Sequence, residues 1–202
     1  NYKVNKDSSS VVRKRFGQHF LEDSWTPKLL AAIAPKSSDC FIEIGPGRGA
    51  LTYALAARSA HVIAIEIDRR LATDIDRKQN PQISIIQGDV LETDLGQLAL
   101  TARQNYPLSA IRLVGNLPFN ISSPVLFAVF RAQRSEQLFQ DATVMLQCEV
   151  ADRLIAKPGS KTYGPLAVMA AVHAQGSRLL VLPSGAFRPS PKVRAALVNL
   201  RF

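Results

Sequence analysis

The loop Gly45-Pro46-Gly47-Arg48-Gly49 follows the apolar run Phe41–Ile44 directly and opens onto a helical stretch near Ala50. Glycines there permit a sharp turn with positive φ and let a ligand lie against bare backbone at a helix N-terminus. The spacing is G-x-G-x-G rather than G-x-G-x-x-G, with Glu43 two residues ahead of it, which argues against a dinucleotide. Glu66 closes the next strand-like run, 21 positions after Gly45, where a carboxylate can accept both hydroxyls of a ribose. Asp89 follows the third run in Gly88-Asp89-Val90 and can accept from an adenine amino group. Three such elements at the ends of three successive strands call for an adenine, a ribose and no phosphate. S-adenosyl-L-methionine answers that description.

A second constellation closes the fourth run. Ile111–Val114 ends in Gly115-Asn116-Leu117-Pro118-Phe119-Asn120. Pro118 fixes the backbone and biases Leu117 to an extended form, so the Leu117 carbonyl and the Asn116 side chain can point the same way. An exocyclic adenine amine is a poor nucleophile because its lone pair is delocalised into the ring. Two neutral acceptors holding its hydrogens favour a pyramidal nitrogen, whose lone pair is then free to attack a sulfonium methyl. That attack creates no new charge but passes the positive charge from sulfur to nitrogen, so orientation and a neutral pocket matter more than a strong base. Phe119 supplies a flat apolar face for a flipped-out base. The candidate catalytic set is therefore Asn116, Leu117, Pro118 and Phe119.

The elements that must carry these residues alternate. Apolar, β-branched runs fall at Cys40–Ile44, Val62–Glu66, Ile83–Gln87, Ile111–Val114, Thr143–Leu146, Arg178–Leu182 and Ala196–Leu200. Helical stretches near 50–58, 68–78, 123–134, 147–156 and 165–171 separate most of them. Near-continuous hydrophobic strands between helices predict an α/β, Rossmann-like fold: a seven-stranded, mostly parallel sheet covered on both faces. Only the Pro-rich loop Pro183–Pro191 joins the last two strands, so they are expected to form an antiparallel hairpin at one edge. A helix is expected from Asp23, with Pro27 near its first turn, and residues 1–15 read as a mobile basic arm. The expected organisation is one domain over 1–202, with arm and capping helix in 1–35 and the core in 36–202.

Composition narrows the class of function. The net charge is +9, of which +4 lies in residues 1–20 and +5 in residues 178–202, while the segment between them is balanced. Basic flanks around a neutral body point to a polyanionic partner. Apolar runs are too short for a membrane span, the longest, Tyr163–Val172, being interrupted by Gly164 and Pro165. The start, Asn-Tyr-Lys-Val-Asn-Lys-Asp, lacks a signal-peptide core. Cys40 and Cys148 read as two separate buried thiols, and with three scattered histidines no metal site is expected. A reducing, cytoplasmic setting follows.

The chain resembles the ribosomal RNA small-subunit adenine dimethyltransferases. The resemblance rests on Arg13-Lys14-Arg15-Phe16-Gly17-Gln18-His19-Phe20-Leu21, Glu43-Ile44-Gly45-Pro46-Gly47, Ile65-Glu66-Ile67-Asp68, Gly88-Asp89 and Gly115 to Ser122. Gln147 to Leu154 and Phe187-Arg188-Pro189-Ser190-Pro191-Lys192-Val193 extend it in family order over nearly the whole chain. It implies transfer of two methyls from S-adenosylmethionine to N6 of each of two adjacent adenosines, in a hairpin near the 3′ end of small-subunit ribosomal RNA. It also implies that His19 and Leu21 close over the methionine end of the cofactor. Gly45 and Gly47 then belong to the loop, Glu66 takes the ribose, Asp89 the adenine, and Asn116 the target amine while also touching the cofactor. His19 stands where the family commonly has Asn, and Phe119 where it commonly has Tyr.

Family members usually continue past the last strand into a small helical domain, so the chain is expected to be the catalytic domain alone, acting as a monomer on an immature small subunit. Phe187 lies in a Pro-bounded loop expected to overhang the same sheet edge, suited equally to touching the target base and to packing. With Lys192 and the arm residues Arg13, Lys14 and Arg15 it makes up the candidate RNA contacts. Two other readings share part of the pattern. One is the related large-subunit adenine methyltransferase of macrolide resistance, against which Leu117 and the stretch Ala156–Gly164 speak. The other is a binding factor that checks subunit assembly, against which the intact Asn116 corner speaks.

Overall fold

The computed structural model describes residues 18–202. The arm, with Arg13, Lys14 and Arg15, lies outside the described residues. After β1 (Phe20–Leu21) a 3-10 turn at Asp23–Trp25 leads into α1 (Thr26–Ile33), which has Pro27 in its first turn. Strands and helices then alternate: β2 (Cys40–Ile44), α2 (Ala50–Ala56), β3 (His61–Glu66), α3 (Arg69–Asp76), β4 (Ile83–Gln87), α4 (Leu95–Asn105), β5 (Ile111–Asn116) and α5 (Ser122–Glu136). The chain ends with β6 (Phe139–Gln147), α6 (Cys148–Leu154), α7 (Pro165–His173), β7 (Gln175–Leu182), β8 (Phe187–Arg188) and β9 (Ala195–Arg201).

Seven strands form one sheet in the order β4-β3-β2-β5-β6-β9-β7, with β9 antiparallel to both of its neighbours. The expected antiparallel hairpin between the last two long strands is present at one edge of the sheet, with β7 outermost and inside it β9. It inserts between β6 and β7 because Ala195–Val198 are fully buried and need a neighbour on each side, whereas Gln175–Leu179 are exposed and tolerate the edge.

The chain builds outward from β2 through β3 to β4 and then returns to lay β5 against the other side of β2. Strand order thus reverses between β2 and β5, the place where open α/β sheets bind ligands. Register puts Ile44 opposite Gly115, so the glycine loop and the Asn116 corner leave the sheet side by side. Only glycine fits at 115: a Cβ there would come within 2.7 Å of the Ile44 carbonyl oxygen.

Side chains alternate across the sheet into two cores. Cys40, Ile42, Ile44, Ile63, Ile65, Ile111 and Leu113 pack with α4, α5 and Phe130 on one face. Phe41, Val62, Val114, Met145 and Leu197 pack with α1, α2 and Phe187 on the other. Burial on both faces is why the strands read as unbroken apolar runs. Helix α4 has no counterpart among the helices expected from sequence. It starts where the Asp94 side chain accepts the Gln97 N–H, and it buries mainly small residues, Ala99 and Ala102 among them, which give a weak periodic signal. Beneath the second core, Arg112 is buried and donates to Asp39, Asp141 and the Ile33 carbonyl, which ties the end of α1 to β5 and β6.

Candidate active site

One cleft of about 1030 Å3, its open mouth included, lies over the C-terminal ends of β2, β3 and β5. His19, Leu21, Gly45, Gly47, Glu66, Asp89, Asn116, Leu117, Pro118 and Phe119 all line it. Residues from five separate stretches of sequence meet there because the switch between β2 and β5 and the β1–β8 pairing bring their segments together.

Glu66 sits at the end of β3, almost wholly buried, and its two oxygens accept the Gly47 N–H at 3.0 Å and the Asp68 N–H at 2.9 Å. The carboxylate therefore shapes the glycine turn, where Gly45 and Gly47 take φ of 69° and 58°. Burial raises its pKa, opposed by those backbone N–H donors. Each oxygen keeps a further lone pair for a ligand hydroxyl. Asp89 is half-buried, and its Oδ1 accepts the Leu91 N–H at 2.9 Å, leaving Oδ2 as the oxygen for a ligand.

Glu43 shares the cleft but was assigned no role from sequence. It is buried, its Oε2 meets no hydrogen-bond partner of good geometry within the described residues, and desolvation pushes its pKa up to about 7 against the opposing pull of the nearby Thr52 hydroxyl. A buried carboxylate oxygen without a partner is costly unless a ligand supplies one. The local sequence marks Glu43 only as an acid in an apolar run. Ile67, 40% exposed beside Glu66, adds an apolar wall that the sequence did not single out.

At the end of β5 the Asn116 Nδ2 donates to the His19 carbonyl at 2.8 Å, and the Leu117 N–H donates to the Met145 carbonyl at 3.2 Å. The Leu117 side chain is buried, so only its backbone can serve a ligand. The half-buried Phe119 ring lies 5.4 Å from the His19 ring, tilted by 30°. β1 pairs with β8, with Phe20 opposite Arg188 and Leu21 opposite Phe187, and so holds this N-terminal strap over the cleft.

Phe187 is a correction. It is fully buried in the core with α1 and α2 and is absent from the cleft lining, so its ring packs and offers no surface to a base. The β1–β8 pairing turns it inward, and that pairing is invisible in the Pro-bounded loop by itself. Lys192, three residues before β9, is exposed and outside the cleft. Among the described residues no three His, Cys, Asp or Glu side chains group to hold a metal ion, and no helix is long and apolar enough to cross a membrane.

A mostly parallel seven-stranded sheet with a reversed strand next to its edge, and a cleft over its switch point, is the architecture of the Rossmann-like S-adenosylmethionine-dependent methyltransferases. Within that class the chain belongs to the ribosomal RNA adenine dimethylase family, whose model matches residues 9–202. It is 42% identical over 200 residues to the ribosomal RNA small subunit methyltransferase A of Xanthomonas euvesicatoria pv. vesicatoria, covering 98% of this chain and 72% of that protein. To the protein of the same name from Hahella chejuensis it is 42% identical over 199 residues, covering 97% of this chain and 70% of the other. Among solved structures it is similar to a dimethyladenosine transferase from Plasmodium falciparum, with a TM-score of 0.75 at 28% identity over 91% of this chain and 63% of that one. The 23S rRNA methyltransferase ErmE gives a TM-score of 0.73 at 26% identity, over 90% of this chain and 69% of that one.

Proposed function

We propose that this protein transfers methyl groups from S-adenosyl-L-methionine to N6 of two adjacent adenosines in a hairpin near the 3′ end of small-subunit ribosomal RNA. It does so as a cytoplasmic monomer, on an immature subunit. The observation that carries the reading is the Ile44–Gly115 register, which sets the glycine loop and the Asn116-Leu117 corner in one cleft.

The residues present fit the cofactor. Glu66 and Asp89 offer oxygens for ribose and adenine, Ile67 an apolar contact, and the unpartnered Glu43 oxygen an acceptor for a cationic group such as the methionine ammonium. When bound, the cofactor supplies an activated methyl group. Asn116 Oδ1 and the Leu117 carbonyl receive the two hydrogens of the target amine and favour its pyramidal form. Phe119 stacks on the base, and the strap excludes water above it. No residue of the corner needs to carry a charge: the amine gains the methyl as the methyl–sulfur bond breaks, becomes cationic, and releases one proton to water at the open mouth of the cleft.

The polyanionic substrate finds cations beside the cleft. Arg48 lies 4.6 Å over the Phe20 ring and Lys78 4.1 Å over the Tyr53 ring, lining with Arg70 a groove that adjoins the cleft. The fold alone does not separate small-subunit from large-subunit substrates, since ErmE shares it. The sequence relatives at 42% identity, named for the small subunit, support the former. The test is Asn116→Ala in the purified enzyme. Turnover on small subunits lacking dimethyladenosine is expected to fall at least about a hundredfold, the scale for one oriented transition-state partner. Cofactor affinity by calorimetry changes less than about tenfold. Undiminished turnover contradicts the reading.

A further inference from the structure

The strap over the cleft does more than cover a cofactor. We propose that the His19 backbone carbonyl is the positioning group for Asn116, so that closure of Gln18–Leu21 is what aims the catalytic acceptor. The inference rests on the reading above, in which Asn116 receives the target amine.

An asparagine amide presents an acceptor at one end and two donors at the other, and the two ends are nearly identical in shape. Nothing in Asn116 itself decides which end faces the substrate. The His19 carbonyl can only accept, and it takes the Asn116 Nδ2 at 2.8 Å. Rotating the amide by half a turn would set two oxygens against each other there and present donors to an amine whose own hydrogens need acceptors. With the strap closed, Oδ1 is left for the cleft. With the strap open, both orientations are available and half of them are unproductive.

Several contacts hold the carbonyl in place. His19 Nδ1 donates to the Pro189 carbonyl at 2.7 Å, and its ring lies against Phe119. The next side chain, Phe20, packs on the glycine loop, where a Cβ on Gly47 would come within 2.9 Å of its ring. Beyond it, the Glu22 N–H donates to the Ala186 carbonyl at 2.9 Å and Glu22 pairs with Arg188. The strap therefore bridges the cofactor loop and the acceptor corner, and the link between His19 and Pro189 is its latch. The latch needs a donor at the δ position of residue 19. Asn carries an N–H donor at the same place along its side chain as His Nδ1, whereas Leu carries none.

Two measurements test this on the full chain. The first is hydrogen exchange of the Phe20–Glu22 amides in the complex with S-adenosylhomocysteine. Asn116→Ala is expected to speed it about tenfold, the effect of one lost hydrogen bond, while β2–β4 amides are unchanged. The second compares His19→Leu with His19→Asn at saturating small subunits and saturating S-adenosylmethionine. kcat is expected to fall about tenfold for Leu and less than about twofold for Asn, with KM for the subunit within about threefold for both. Unchanged strap exchange in Asn116→Ala, or equal kcat in the two His19 variants, overturns the positioning role. Loss of transfer by Asn116→Ala with unchanged exchange removes only this inference. Undiminished transfer by that variant removes the reading of Asn116 as well.

Discussion

The acids of the cleft have separable duties that single substitutions expose. Glu66 holds the Gly47 and Asp68 N–H groups and so sets the glycine turn as well as lining the cleft. Glu66→Ala is expected to raise the cofactor Kd at least about tenfold by calorimetric titration, since a buried acceptor and the turn it orders go together. Glu43 behaves differently. Its pKa in the fold is about 7, above its ordinary value of 4.5, so the native state retains a proton that the unfolded chain releases. That contribution to stability is fully present below about pH 4.5 and is lost as pH rises through 7. Chemical denaturation is expected to show the protein less stable at pH 8 than at pH 5.5, with the difference reduced in Glu43→Gln. The same deprotonation readies Glu43 for a cationic ligand, so cofactor affinity is expected to rise over that window in the native protein and to stay flat in the variant. The places of Asn116 and Glu66 in the cleft were readable from sequence because they lie in a local motif and at a fixed interval. The need of Glu43 for a partner was not, because it arises from burial under α2, which no interval encodes.

At the scale of elements, the two short strands β1 and β8 were the least readable and matter most to the site. Each is two residues long, too short for an alternating pattern, and their pairing joins segments 166 or more positions apart. It buries Phe187, seats Leu21 at the cleft and brings His19 to Asn116. The central strands β2, β3 and β5 were readable because burial on both faces makes them largely apolar, while α4 was missed because much of its buried face is alanine and glycine. The junction of α1 with β5 and β6 depends on Arg112, buried between Asp39 and Asp141. Arg112→Met is expected to destabilise the fold by about 3–5 kcal/mol in denaturant titrations, because two buried carboxylates lose their counter-charge. A loss under about 1 kcal/mol would mean that solvent reaches those carboxylates.

Across the whole molecule, charge and topology divide the work. The parallel sheet builds a neutral reaction corner, and the cations lie around it. Two of the bases at the C-terminal end have acidic partners, Arg178 with Asp152 and Arg188 with Glu22, whereas Lys192, Arg194 and Arg201 are exposed. RNA affinity is expected to fall steeply with salt, and Lys192→Ala to lower the slope of log K against log salt by about 1 if it meets one phosphate. A slope unchanged in Lys192→Ala would leave that residue as an ordinary solvated side chain. The excess of charge at the two ends of the chain was plain in the sequence, but which cations are paired depends on where β7 and β8 come to rest.

The most direct measurement is methyl transfer from labelled S-adenosylmethionine to immature small subunits and, separately, to naked large-subunit RNA, with the product nucleosides mapped. Dimethyladenosine at two adjacent positions near the 3′ end of the small-subunit RNA, absent with Asn116→Ala, is the predicted result. Label confined to the large-subunit RNA, or transfer that persists without the Asn116 side chain, would contradict it.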